Sequence, residues 1–186
     1  MRYIIIDLEA TCWERGVSRA QMETIEIGAV RLESSSGPAS GEFAAFVRPV
    51  ASPVLSAFCT QLTSIRQEDV DGAAFFGAVL WDLLSWAGEE PFWLCSWGAY
   101  DLGQLRADCE RHSMVMPDAL ERHINLKKHF GRLYGCGPVG MAGALRMCGL
   151  PLEGTHHRGI DDARNIARLA TRILPALERE GLIAGA

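Results

Sequence analysis

The 186-residue chain carries 18 Lys or Arg against 23 Asp or Glu, a formal charge of −5, and is 48% apolar and 22% charged. That length suits one domain, residues 1–186, with a core that needs no staples, and the composition excludes disorder and fibrous repeats. The acidic balance argues against a general nucleic-acid coat or a polybasic membrane binder, because phosphate-dominated binding needs excess Lys and Arg.

Tyr3–Ile6 is β-branched and aromatic without alternation, which predicts a central strand covered on both faces. Asp7 and Glu9 interrupt the run, so it is no signal-peptide core. Ile25–Val30 and Phe43–Val47 read as two further strands joined through the Ser/Gly/Pro loop Ser34–Gly41. Helical spacing covers Gln67–Ala87, and its apolar stretch Ala73–Trp81 falls short of the ~20 residues a membrane span needs. Phe92–Trp97 predicts a buried strand, and Leu102, Leu105 and Cys109 then recur at helical spacing. A short strand follows near His123–Leu126, then helices over Val139–Cys148 and Gly159–Leu177. A meander followed by alternation predicts an α/β fold, one mixed five-stranded sheet with helices on both faces. The six cysteines contain no C-x-x-C pair and read as reduced core residues, so the expectation is a soluble cytoplasmic protein with no membrane partner.

The informative residues are acids where the pattern predicts burial. Asp7 and Glu9 close the most apolar strand, and residues i and i+2 of a strand project from one face, so their carboxylates lie side by side. Neighbouring like charges there are unfavourable unless protonated or neutralised by a cation. Taken alone, the pair is equally compatible with loop capping. Asp101 opens the helix after Phe92–Trp97, where an Asp is also a common cap. On Gly159–Leu177 the apolar stripe puts Asp162 about 80° from its centre, at the border of the buried face, and turns Asp161 toward solvent. His157 precedes Asp162 at H-x-x-x-x-D spacing.

In an open α/β sheet a ligand crevice forms at the C-terminal ends of the strands. Four carboxylates converging there, with no Cys or His among them, call for Mg²⁺ or Mn²⁺ rather than Zn²⁺. Two such ions about 3.5–4 Å apart serve in-line attack on a phosphodiester. A nearby imidazole can take the proton of the attacking water, and His157 fits by position.

Three strings, Ile6–Cys12, Ser96–Asp101 and His156–Ala167, resemble in order the motifs of the DEDDh 3′→5′ exonucleases. Phe46–Pro49 and Leu55–Ile65 further resemble the ERI-1-like exoribonuclease branch, and the likeness runs from Ile4 to about Leu169. The resemblance implies an RNase H-like fold with two Mg²⁺ or Mn²⁺ ions held by Asp7, Glu9, Asp101 and Asp162. Asp7 would bridge both ions, and His157 would be the general base and touch substrate. It implies removal of nucleoside 5′-monophosphates from free 3′-OH ends of single-stranded RNA or DNA. The backbone of Leu8, Ala10 and Thr11 would receive the terminal nucleotide and Phe58 and Leu62 would flank its base. Tyr100 stands where this branch often has Trp. Leu8 replaces the usual Phe, a change that bears on fine substrate preference.

The remaining polar residues read more plainly. Glu26 and Asp69 are expected as surface or capping acids, and His156 fits the base spacing less well than His157. Arg122, Lys127, Lys128 and Arg132 form the one dense basic run, compatible with a solvated face or with phosphate contacts. Trp93 and Trp97 are expected in the core. Beside an exoribonuclease stand two alternatives: the same chemistry on DNA ends or very short oligomers, and a non-catalytic nucleic-acid-binding module.

Overall fold

The computed structural model describes residues 1–183. The chain begins with strands β1 (Arg2–Ala10), β2 (Thr24–Leu32) and β3 (Ala39–Arg48), then helices α1 (Ala57–Thr63) and α2 (Gln67–Asp71). Strand β4 (Ala74–Phe75), helix α3 (Phe76–Ala87), strand β5 (Phe92–Ser96) and helix α4 (Tyr100–Arg111) follow. The last elements are α5 (Asp118–Glu121), β6 (His123–Asn125), α6 (Leu126–Tyr134), α7 (Met141–Met147) and α8 (Gly159–Arg179).

The six strands form one mixed sheet in the order β4-β3-β2-β1-β5-β6. β1, β2 and β3 are successively antiparallel, while β5 lies parallel to β1 and β6 parallel to β5. The sheet thus has six strands, not five. The extra one is the two-residue β4, which pairs in parallel with Val47–Arg48 inside the segment expected to be a single helix over Gln67–Ala87. Helix α2 stops at Asp71 with Gly72 as its C-cap, and the chain runs extended until Phe76. Val70 and Phe76 are both buried, so the apolar spacing carries across a break that it cannot reveal. α1, α5 and α6 are not marked by the apolar pattern.

Alternation along β1 divides the core. Tyr3 and Ile5 pack with Ala163, Ile166 and Ala170 of α8, whereas Ile4, Ile6 and Leu8 pack on the α3 and α4 side with Leu80, Leu83 and Leu105. Each fully buried aliphatic side chain contributes about 1.5–3 kcal/mol, so β1 is firmly held on both faces. Asp7 and Glu9 share the parity of Tyr3 and Ile5, and the same register therefore turns them toward α8.

One backbone contact sets the distance between α8 and the sheet. Gly28 of β2 lies opposite Asp7 of β1, and a Cβ built on Gly28 would stand 2.0 Å from the carbonyl carbon of Gly159 and 2.2 Å from the nitrogen of Ile160. Only two glycines allow the first turn of α8 to come so close. No helix among the described residues is long and apolar enough to cross a membrane.

Gly28→Ala should lower unfolding free energy by about 1–3 kcal/mol or more, the usual cost of overpacking, measured by urea denaturation. Unchanged stability would show that the close approach is dispensable.

Candidate active site

β1 carries Asp7 and Glu9 to the end of the sheet where α4 and α8 begin. Asp101, in the first turn of α4, is buried, and its Oδ1 accepts a hydrogen bond from the Leu8 backbone N–H at 3.1 Å. This ties α4 directly between the two β1 acids. Asp162, in the first turn of α8, is also buried, and its Oδ2 accepts from the His157 backbone N–H at 3.0 Å. One carboxylate oxygen each from Asp7, Glu9 and Asp162 lie within 4.8 Å of one another.

Crowding this many acids shifts their proton affinity upward. The Asp7 carboxyl is pushed well above the usual range by burial, then by the neighbouring charges of Asp101, Glu9 and Asp162. Glu9 is raised to about 8, again first by burial and then by Asp162, Glu26 and Asp101. Burial also lifts Asp101, to about 6, against the pull of the Leu8 N–H and the Ser96 hydroxyl. Buried carboxylates that repel one another and offer hard oxygen donors are the chemical setting that a divalent cation fits.

The α8 end of the site is built by residues that the apolar pattern does not mark as important. Glu26 of β2 is buried rather than on the surface: it accepts from the Gly159 backbone N–H at 2.9 Å and pairs with the Arg158 guanidinium at 3.1 Å. It therefore holds the start of α8 in place beside Asp162. Asp161, expected to face solvent, instead accepts from the Thr155 N–H and the Arg164 guanidinium, each at 2.8 Å, and so shapes the loop that bears both histidines. Asp69 caps α2 through the Arg66 N–H at 2.8 Å, as expected.

The two histidine rings stack with centroids 4.0 Å apart and planes 17° from parallel. His156 Nδ1 lies 2.8 Å from Asp162 Oδ2, so it is the ring of His156, not His157, that touches the acid. His157 adopts φ 63°, a left-handed conformation uncommon for any residue with a side chain. Burial, and then the neighbouring His156, lower its pKa and favour the neutral imidazole.

These groups line a cleft of about 370 Å³. Its floor is Asp7, Glu9, Asp101 and Asp162; toward the β2–β3 side stand Cys12, Met22 and Leu62, and toward the β5–β6 side Trp97, Gly140 and Met141. Tyr100 also lines the cleft, with the Arg19 guanidinium 5.1 Å from its ring centroid. Leu8 and Ala10 contribute to the lining, but the Leu8 side chain is buried in the core and its N–H is given to Asp101.

Thr11 is not brought into the cleft wall. Its N–H donates to the Glu23 carbonyl at 2.8 Å and its Oγ1 accepts from the Glu23 N–H at 3.0 Å, which pins the end of β1. Phe58 is on the exposed side of α1 and does not line the cleft as Leu62 does. Trp97 was expected in the core. It packs against the β1–α8 core, its ring 5.5 Å from that of Phe130, and it also lines the cleft, its indole N–H donating to the Val139 carbonyl at 3.0 Å. The signal available for it was its place just past the strand, before Gly98 at φ 131°. Trp93 packs against the same core, half-buried, with the Arg122 guanidinium 4.9 Å from its ring centroid.

A family model described as "Exonuclease" matches residues 4–170. Among proteins of known name, "ERI1 exoribonuclease 2" of Danio rerio is 38% identical over 192 residues, covering 92% of this chain and 34% of that protein. "3'-5' exoribonuclease 1" of Homo sapiens is 32% identical over 179 residues, covering 91% of this chain and 51% of that protein. The chain thus spans about a third to a half of the length of these relatives. Among solved structures, the nuclease domain of 3'hExo, a DEDDh family member, bound to rAMP, superposes with a TM-score of 0.88 at 32% identity, covering 94% of this chain and 92% of that one. By the extent of these matches the chain belongs to the DEDDh exonuclease family, on the ERI-1-like branch.

Proposed function

We propose that the chain is a metal-dependent 3′→5′ exonuclease acting on RNA, and that it releases nucleoside 5′-monophosphates from a free 3′-OH end. The observation that carries this reading is the convergence of Asp7, Glu9 and Asp162 within 4.8 Å, with Asp101 locked beside them. Relatives named as exoribonucleases support RNA as substrate.

Asp7, Glu9, Asp101 and Asp162 would hold two Mg²⁺ or Mn²⁺ ions. When bound, such ions neutralise charge on a phosphodiester and make water a better nucleophile. The terminal nucleoside would occupy the part of the cleft near Leu62 and Tyr100, whose apolar and aromatic surfaces accept any base. The Ala10 and Leu8 backbone borders it on β1.

His157 would serve as general base, accepting at an imidazole nitrogen the proton of the water that attacks phosphorus. The water oxygen forms the new P–O bond, the bond to the upstream 3′-oxygen breaks, and that oxygen leaves to be protonated as the new 3′-OH. A neutral imidazole is required, and burial together with the adjacent ring favours it. His156, stacked on His157 and touching Asp162, would position the base rather than receive the proton.

A 3′-OH oligoribonucleotide incubated with Mg²⁺ or Mn²⁺ should yield a ladder of shortened products and 5′-monophosphates on gel and chromatography. Chelator or a blocked 3′ end should stop it; equal cleavage of the blocked strand would contradict an exonuclease. His157→Ala should lower kcat by about 10²–10⁴-fold. His156→Ala should cost roughly tenfold or less, and the reverse order of losses would assign the base to His156.

A further inference from the structure

The basic run around α6 is the one dense cationic feature of an acidic chain, and the proposed chemistry leaves it unused. β6 lies parallel to β5, and β5 parallel to β1, so the C-terminal ends of all three point the same way. α6 starts at Leu126, directly after β6, and Lys127 and Lys128 therefore stand at the end of the sheet that carries Asp7 and Glu9. Adjacent strands are about 4.8 Å apart, which puts these lysines roughly 10 Å across from β1.

Lys127, Lys128 and Arg132 line a cavity of about 420 Å³ that also includes Cys136 and Pro138. The same 136–141 segment then supplies Gly140 and Met141 to the catalytic cleft and takes the Trp97 indole hydrogen bond on Val139. One stretch of chain thus forms the wall between the cleft and the cationic cavity. Arg132 pairs with Glu180 at 2.6 Å, whereas neither lysine has an acidic partner among the described residues. Two ammonium groups without acidic partners, on a helix start capped by Asn125 and lining one cavity, offer positive charge to an anion.

We infer that Lys127 and Lys128 bind backbone phosphates of the RNA upstream of the scissile bond. The inference rests on the proposed exonuclease reading, which seats the terminal nucleoside at the Leu62 end and leaves the Trp97–Met141 end for the strand behind it. From that end the strand passes over the 136–141 wall into the cavity bounded by α6. Point charges on flexible stems recognise phosphate without reading bases, as required of a track over which any sequence must pass. The acidic chain thereby confines its attraction for RNA to one short path.

The test is binding of a fluorescent oligoribonucleotide of about twelve nucleotides, measured by anisotropy in chelator so that no turnover occurs. Lys127→Ala/Lys128→Ala should weaken it roughly tenfold or more at low salt. The slope of log affinity against log salt should fall by about 1.4, two contacts at about 0.7 each for a single strand. Lys127→Arg/Lys128→Arg should retain both affinity and slope. With Mg²⁺ or Mn²⁺ added, hydrolysis of the p-nitrophenyl ester of thymidine 5′-monophosphate, too short to reach α6, should be unchanged in the alanine variant. Equal affinity and slope in parent and alanine variant would overturn the inference, as would parallel loss on the mononucleotide ester. A parent that binds the oligomer through these lysines yet cleaves neither substrate would count against the exonuclease reading alone.

Discussion

Repulsion among carboxylates gathered at one end of the sheet is the constraint around which this molecule is organised. Asp7 and Glu9 share one face of a strand, whereas Asp101 and Asp162 come from the first turns of two helices and are brought to that pair only by the fold. They are held against their mutual repulsion by contacts that act on backbone. The Leu8 N–H fixes Asp101, the His157 N–H fixes Asp162, and Glu26 fixes the start of α8. Behind them the Gly28–Gly159 approach lets the first turn of α8 sit directly against β2. Core burial along β1 supplies the stability on which this arrangement depends.

Much of this was legible in the sequence where a single residue type had an improbable place. An acid two residues from another at the end of an apolar strand, or at the edge of a helix stripe, reports a cost that needs an offset. The central strand, the meander and α8 were legible for a related reason: their apolar runs are long enough for the period to show. Short elements were not. β4 has two residues, and its neighbours share buried positions at compatible spacing. Glu26 read as a surface or capping acid and Asp161 as a solvent-facing one because their partners, the N–H groups of Gly159 and Thr155, are supplied by distant or irregular backbone. Thr11 matched a motif, yet the match does not show that its polar groups are taken by Glu23. Trp97 looked like core and does pack there; that it also lines the cleft, bonded to the Val139 carbonyl, depends on a distant segment that the pattern does not show.

The net charge of −5 takes on a local meaning in this arrangement. Four of the 23 acids form the cluster, where bound cations would convert repulsion into an attraction for phosphate. The unpaired lysines of α6 lie at the same end of the sheet. The chain is acidic overall and selective in where it invites an anion.

The most direct test of this account is the thermal stability of the metal-free protein as a function of pH, with and without a saturating divalent cation. Glu9 with a native pKa of about 8, and Asp101 with one of about 6, keep protons that the unfolded chain releases near pH 4. Across that window the native state binds more protons than the unfolded state, so stability falls as pH rises. The account predicts that Tm of the metal-free protein declines from about pH 5 to about pH 8 and that Mg²⁺ or Mn²⁺ restores it, more at the upper end than the lower. A Tm independent of both pH and added cation over that range would contradict it.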